Sequence, residues 1–249
     1  MDPTPVTYLL IHGGGSTGRF WDRLVPLLDE PVLAIDMPGR NGKPGDLATL
    51  TVEDEVRSIV ADVEAAAVAD PIVVVAHSSG GLVVPGVVAA LGGQVSRVVL
   101  NAALVPEEGG RGVDCMKAAH RDGLLASLAQ AEADGTTITL PGPPADPEAF
   151  RRAYGGDPLD DDALAFVTDP ARCVADTVHH YLQPVHWSQA ADVPVTYVLN
   201  DRDRPVLPDR QAEMAARVPT LARVDHFDGG HLPAVTHPAD FAALVVAAP

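Results

Sequence analysis

The chain has 249 residues, 47 % of them apolar and 20 % charged, which suits one α/β domain of ordinary size with a sizeable core. Seventeen basic against thirty-four acidic side chains give a formal charge of −17. A field of that sign weighs against nucleic acid and anionic membrane surfaces as partners, and against polyanionic substrates unless a local patch reverses it.

The only lysines are Lys43 and Lys117, so a lysine nucleophile has almost no candidates. Cys115 and Cys173 form neither a disulfide framework nor a zinc pattern, and two buried free thiols are expected. Met1 to Pro5 (MDPTP) does not read as the start of a leader peptide, and no apolar run approaches the roughly 20 residues of a membrane span. The expected location is cytoplasmic.

In chain order, residues 6–11 (VTYLLI) read as a buried strand running into His12-Gly13-Gly14-Gly15. Ser16 or Thr17 is placed to cap a helix through Leu28. Residues 31–35 read as a second strand, followed by a loop with glycine and proline breaks. Thr51 or Thr49 caps a helix to about Ala69, with Val52, Val56, Ile59, Val60 and Val63 at helical spacing. Residues 71–76 form an apolar strand, 80–91 a helix containing Pro85, and 95–100 another strand. Strands apolar on both faces, alternating with helices, predict a mostly parallel sheet covered on both sides.

The rhythm breaks over 105–190, which carries 14 acidic and 6 basic side chains and several Gly-Pro clusters. Helical patches are expected near 116–133, 160–166 and 169–182. This stretch reads as an inserted helical cap between core segments 1–104 and 191–249. Strands at 193–199 and 221–227 and helices at 208–218 and 238–246 then resume the pattern.

Four segments carry candidate chemistry. In Ala76-His77-Ser78-Ser79-Gly80-Gly81 a serine stands between a strand and a helix, where a sharp turn lifts its hydroxyl above the sheet and the helix amides face developing negative charge. The bland alternative is a small-residue turn without chemistry. Ser78 is preferred over Ser79, which would open the helix and offer its amide. The glycines after His12 leave backbone N–H groups free to face a cavity, so Gly14 and Ser79 are the candidate oxyanion donors. Gly13, Gly15 and Gly18 also spell a dinucleotide-type G-x-G-x-x-G with Asp36 beyond, but the second serine turn disfavours that use.

A serine base needs a histidine oriented by a carboxylate. Asp201 and Asp203 both follow the strand ending at Leu199; Asp203 is chosen and Asp201 is the alternative. His231, in Asp228-Gly229-Gly230-His231, is the candidate base. His77 sits in the serine turn itself, and His12 reads as loop packing. His226 lies in a strand and His237 at a helix start. His179 and His180 lack a metal-ligand spacing. Leu104, His179, His186 and Trp187 are candidates to line the substrate pocket.

LLIHGGG (9–15), AIDMPG (34–39), AHSSGG (76–81), LNDRD (199–203) and GGHLPAVTHP (229–238), in this order, resemble the α/β-hydrolase superfamily over nearly the whole chain outside the presumptive cap. Starting directly at the glycine-loop strand, the chain is similar to the compact esterase and hydroxynitrile-lyase branch. The resemblance implies Ser78 as nucleophile, His231 as base, Asp203 as orienting acid, Gly14 and Ser79 as oxyanion donors, and no cofactor or metal. Ala76 departs from the usual glycine. Asn101 stands where members of that branch commonly carry an aspartate, which favours Asp203. Gly230 and Leu232 flank the base where the lyases use a lysine, which disfavours cyanohydrin cleavage.

The expected activity is therefore hydrolysis of a small neutral ester or lactone. A non-hydrolytic or carbon–carbon bond-cleaving enzyme on the same scaffold, or a ligand receptor, are the alternatives. The acidity of the presumptive cap predicts poor binding of anionic acyl chains. The partner is a small-molecule substrate, and the sequence leaves the oligomeric state open.

Overall fold

Six short runs rich in valine, isoleucine and leucine become the strands of one sheet in the computed structural model, which describes residues 6–156 and 159–247. Met1 to Pro5 therefore lie outside the described residues. In chain order the elements are β1 (Thr7–Ile11), β2 (Val32–Ala34), α1 (Val52–Ala65), β3 (Ile72–His77), α2 (Val84–Leu91) and β4 (Val95–Asn101). Next come α3 (Ala118–Ala133), β5 (Thr139–Leu140), α4 (Pro147–Tyr154), α5 (Asp161–Val167) and β6 (Asp176–Thr177). The chain closes with β7 (Val195–Asn200), α6 (Pro208–Ala215), β8 (Leu221–Phe227), α7 (Pro233–Thr236) and α8 (Pro238–Val246).

The main sheet has the order β2-β1-β3-β4-β7-β8, every neighbouring pair parallel. β1 and β3 are buried along their whole length, as apolar side chains on both faces require. The cores on the two faces are distinct. Leu9, Ile11, Val74 and Leu100 pack toward α1 and α2, whereas Tyr8, Leu10, Val73 and Val99 pack toward Phe20, Trp21, Phe241 and Val245. Among the described residues no helix is long and apolar enough to cross a membrane.

α1 starts where its capping chemistry predicts. Thr51 accepts from the Asp54 amide and the Asp54 carboxylate accepts from the Thr51 amide. It ends earlier than about Ala69, because Ala67 enters the left-handed region (φ 47°) and Val68 N–H turns back to the Val63 carbonyl.

Three local expectations fail for identifiable reasons. The helix through Leu28 is instead two 3₁₀ turns, Gly18–Trp21 and Val25–Leu27. Pro26 supplies no amide and restricts Val25, while the Gly18 amide is taken by Asp36 Oδ1 at 2.7 Å. The helix at 80–91 is a 3₁₀ turn, Ser78–Leu82, followed by α2 with Pro85 in its first turn, where the missing N–H does no harm. The helix at 169–182 is replaced by β6, antiparallel to β5, and a 3₁₀ turn at His179–Tyr181. Val174, Thr177 and Val178 are β-branched, and the Val174 amide bonds the Gly15 carbonyl (3.0 Å) rather than its own turn.

The segment between β4 and β7 contributes α3, α4, α5 and the β5–β6 pair above the strand ends. Its last part behaves differently: the turn Trp187–Ala190 packs against α2, with Trp187 buried in the core.

Candidate active site

The carboxyl ends of parallel strands converge on one cavity, as expected for an open α/β sheet. β3 delivers Ser78, which holds φ at 53°, a left-handed conformation that an ordinary side chain adopts at a cost of about 1–3 kcal/mol. The surroundings impose this turn. The Leu104 amide bonds the Ser78 carbonyl at 2.9 Å. A Cβ at Gly80 would lie 2.6 Å from the His12 carbonyl oxygen, so only glycine lets the chain pass there.

β1 delivers the glycine loop. The Gly15 amide donates to Asp176 Oδ2 (2.9 Å), and the other oxygen of Asp176 takes the Thr177 amide and the buried Arg40 guanidinium. Among the described residues the Gly14 amide has no hydrogen-bond partner. Gly14 is tightly enclosed: a Cβ there would fall onto Tyr181 Oη and come within 2.9 Å of Asp176 Oδ2 and 3.1 Å of Ser79 Oγ.

β7 and β8 deliver the acid and the imidazole. His231 is 3 % exposed and its Nδ1–H donates to Asp203 Oδ2 at 2.6 Å. Asp203 Oδ1 accepts the Val206 amide at 2.8 Å, so both of its oxygens are occupied. A buried amide network steadies this loop. Asn101 Nδ2 donates to Asn200 Oδ1 (2.9 Å), Gln211 Oε1 accepts the Asn200 amide (2.9 Å), and Gln211 Nε2 donates to the Val206 carbonyl (2.7 Å). Asn101 thus supports the loop from beside it. Asp201 lies apart, exposed and paired with exposed His226 at 2.8 Å. The structure brings Asp203, and not Asp201, to His231.

Ser78 and His231 line the same cavity, of about 140 Å³. Its opposite wall comes from the segment between β4 and β7, chiefly Phe150, Tyr154, Phe166 and Tyr181. The lining is largely apolar and aromatic, the usual character of a small-molecule site. A hydroxyl on a strained turn, a histidine held by a buried carboxylate and an unpartnered backbone amide together match what acyl transfer requires.

The sequence matches the family model described as "Alpha/beta hydrolase family" over residues 8–244. The chain belongs to the α/β-hydrolase family. Among curated relatives, the lipase LipV of Mycobacterium tuberculosis is 36 % identical over 108 residues, a match that spans 43 % of this chain and 41 % of that protein. Among solved structures, an extracellular α/β-hydrolase from a Paenibacillus species superposes with a TM-score of 0.79 at 20 % identity, covering 97 % of this chain and 98 % of that one. That hydrolase is described as sharing structural and functional homology with tobacco salicylic acid binding protein 2. A pyrethroid hydrolase from Sphingobium faniae superposes with a TM-score of 0.75 at 21 % identity, covering 97 % and 96 % of the two chains. At these identities the structural matches establish the fold.

Within this α/β-hydrolase, none of the four residues expected to line the substrate pocket reaches the cavity. Leu104 packs into the core beside the Ser78 turn. His179 turns to the Ala48 carbonyl at 2.7 Å, which ties it to the loop before α1. His186 is exposed and pairs with Glu108. Trp187 is buried under α2. For His179 the cause is that the 169–182 stretch forms β6 and a 3₁₀ turn instead of the expected helix, whereas Leu104, His186 and Trp187 lie outside that stretch and are held by the contacts just given.

The aromatic wall was missed, although α4 has a legible start: Asp146 caps it and Pro147 occupies its first turn, placing Phe150 and Tyr154 one turn apart. Asp176 and Arg40, which hold the glycine loop, have no local signal, being 136 residues apart.

Three other histidines are fully committed. His12 Nδ1–H donates to the Gly13 carbonyl and its Nε2 accepts the Met37 amide, and burial followed by the Arg40 charge holds its pKa well below the usual 6.5. His77 stacks on Phe20 and its Nε2–H donates to the His231 carbonyl at 2.9 Å; burial and then His231 lower its pKa similarly. His180 is the opposite case. Burial disfavours its charge, but the buried Glu55 carboxylate on Nδ1 outweighs that and raises its pKa, while Nε2 donates to the Ser79 carbonyl at 2.9 Å.

Both thiols are free. Cys115 is buried as expected. Cys173 is only half-buried and lines the cavity. Among the described residues no group of three or more His, Cys, Asp or Glu could hold a metal ion.

Proposed function

We propose that this α/β-hydrolase is a serine carboxylic-ester hydrolase that acts through an acyl-enzyme. The observation that carries the proposal is the buried His231–Asp203 hydrogen bond of 2.6 Å, which leaves the far nitrogen of His231 for the cavity it shares with Ser78. A donated Nδ1–H fixes the tautomer in which Nε2 carries a lone pair, as a base must.

Ser78 Oγ attacks the ester carbonyl as its proton passes to His231 Nε2. The carbonyl oxygen becomes an oxyanion held by the amides of Gly14 and Ser79. Collapse breaks the carbon–oxygen bond, and the leaving alkoxide takes the proton from His231. Water then loses a proton to His231 Nε2, attacks the acyl carbon and releases the acid, which regenerates Ser78. Asp203 orients the imidazole and stabilises its protonated form throughout.

The compact, aromatic-walled cavity suits a small ester or lactone that is apolar next to the reacting carbonyl. The stretch 105–190 serves as the cap that selects it, through the wall of Phe150, Tyr154, Phe166 and Tyr181. Two unpaired thiols fit a cytoplasmic setting.

Hydrolysis of p-nitrophenyl esters from acetate to octanoate by wild type and Ser78→Ala tests the proposal. Turnover abolished by the substitution, with an optimum at short chains, is expected. Near-wild-type turnover in Ser78→Ala refutes the assignment.

A further inference from the structure

Net charge predicts that this protein repels anions, yet the mouth of its cavity has the opposite sign. Outside the inner cavity, and sharing with it the walls formed by Gly14, Pro143, Tyr154, Tyr181 and Pro205, lies a wider vestibule of about 590 Å³. Lys117, His120, Arg152 and Arg204 line it. Among the described residues the one carboxylate on its wall is Asp176, whose charge is already met by buried Arg40.

The state of the three permanent cations is unusual for this chain. Acidic side chains outnumber basic ones two to one, and among the described residues every lysine and arginine but five forms an ion pair. The five are Arg19, Arg97, Lys117, Arg152 and Arg204. Arg97 is satisfied by the carbonyls of Val245 and Ala247. Three of the remaining four meet in this one vestibule.

They are also held together. Lys117 Nζ donates to the Arg204 carbonyl at 2.5 Å, and the Arg204 guanidinium lies over Gly155, where a Cβ would stand 3.0 Å from Nη1. Arg204 follows Asp203 directly in the chain, and Arg152 is two residues before Tyr154, so the elements that build the inner cavity also place the charges outside it. Like charges gathered with no ion-pair partner among the described residues repel, and in a concave mouth their field is focused.

We propose that this vestibule is an anion subsite, built to receive a carboxylate at the far end of the ester substrate. The inference rests on the esterase reading and sharpens it. The group that reacts is a neutral ester seated at Ser78, and the other end of the molecule carries a negative charge that Lys117, Arg152 and Arg204 hold. The preferred substrates are then half-esters of dicarboxylic acids or similar anionic esters, the class that the overall charge argues against.

The test compares kcat/KM, by acid release in a pH-stat, for monoethyl adipate, pimelate and suberate against ethyl hexanoate, heptanoate and octanoate. At low salt at least one half-ester is favoured over its neutral counterpart by about tenfold, and raising NaCl to about 0.5 M removes most of that preference. Arg152→Ala and Arg204→Ala each lower the half-ester to neutral-ester ratio by about fivefold or more. Equal or better turnover of the neutral esters, or a ratio that neither variant changes, overturns the subsite while leaving the esterase reading intact.

If neither class is cleaved, the esterase reading is what has failed. Calorimetric binding of monoethyl suberate against diethyl suberate then decides the subsite alone. Tighter binding of the anion that weakens in Arg152→Ala supports it, and equal or absent binding overturns it.

Discussion

Asp203→Asn is the most discriminating single change, because it keeps the shape of the side chain and alters only its charge and which atoms can accept. In the native loop Asp203 uses both oxygens, one on the Val206 amide at 2.8 Å and one on His231 Nδ1–H at 2.6 Å. Asparagine has one oxygen. With that oxygen on Val206, its NH₂ group faces Nδ1 and forces the proton onto Nε2, which removes the lone pair that takes the serine proton. With the oxygen on His231, the NH₂ group meets the Val206 N–H, and two buried donors face each other at about 1–3 kcal/mol. The first orientation makes every hydrogen bond and wins. Reaching the active tautomer then requires the second orientation, a factor of about 5 to 150 in population. Loss of the carboxylate that stabilises the imidazolium removes about 10²–10³ more, taking the removal of one preorganised electrostatic group as the guide. A fall in kcat of about 10³–10⁵ is therefore expected, a range that brackets the effect of the same substitution in an unrelated serine protease. The assay is steady-state p-nitrophenyl butyrate hydrolysis, with circular dichroism and Tm to show that the variant is folded. Asp201→Asn is the control, expected within about twofold of wild type because Asp201 and His226 are both exposed. If Asp203→Asn retains more than about a tenth of wild-type kcat, or if Asp201→Asn is the crippled variant, the reasoning is wrong.

Four further outcomes follow from neighbouring features. Gly14→Ala drives a methyl group into Tyr181 Oη and toward Asp176 Oδ2, so the glycine loop must shift; kcat should fall about 10²-fold or more with the protein still folded, and unimpaired kcat would show that the Gly14 amide plays no part. The raised pKa of His180 means that its ion pair with Glu55 contributes fully below the ordinary value of 6.5 and fades as pH rises through the raised one. Glu55→Gln should thus lower Tm most near pH 6 and least near pH 9, and a pH-independent deficit would contradict a charged pair. His12 and His77 act in the opposite sense: their lowered pKa values make the folded state lose stability as pH falls below 6.5, read as an acid-side drop in Tm that Glu55→Gln leaves in place. Burial pushes the Cys173 thiol up to about 11 and Cys115 to about 12, so iodoacetamide should label both slowly at pH 8, Cys173 first, with loss of activity tracking Cys173; rapid labelling of Cys115 would contradict its burial.

Much of this protein was legible along the chain because the controlling interactions are local. An all-apolar run such as residues 72–76 has no stable place except inside a sheet covered on both faces. Thr51 and Asp54 cap a helix from three residues apart. The serine turn needs Gly80 because its own neighbouring backbone leaves no room. Hence the parallel sheet and the elements bearing Ser78, Gly14 and His231 could be read in order. The sequence could not choose decisively between Asp201 and Asp203, two residues apart on one loop, since the choice depends on how the loops after β7 and β8 face each other. Nor could it assign the walls: whether residues 169–182 coil or extend is decided by pairing with β5 and by the Gly15 carbonyl, more than 150 residues away. The charge at the mouth is the clearest case. Composition sums 51 charged side chains to −17, whereas a ligand responds to the few nearest it, and only folding gathers Lys117, Arg152 and Arg204 around one opening.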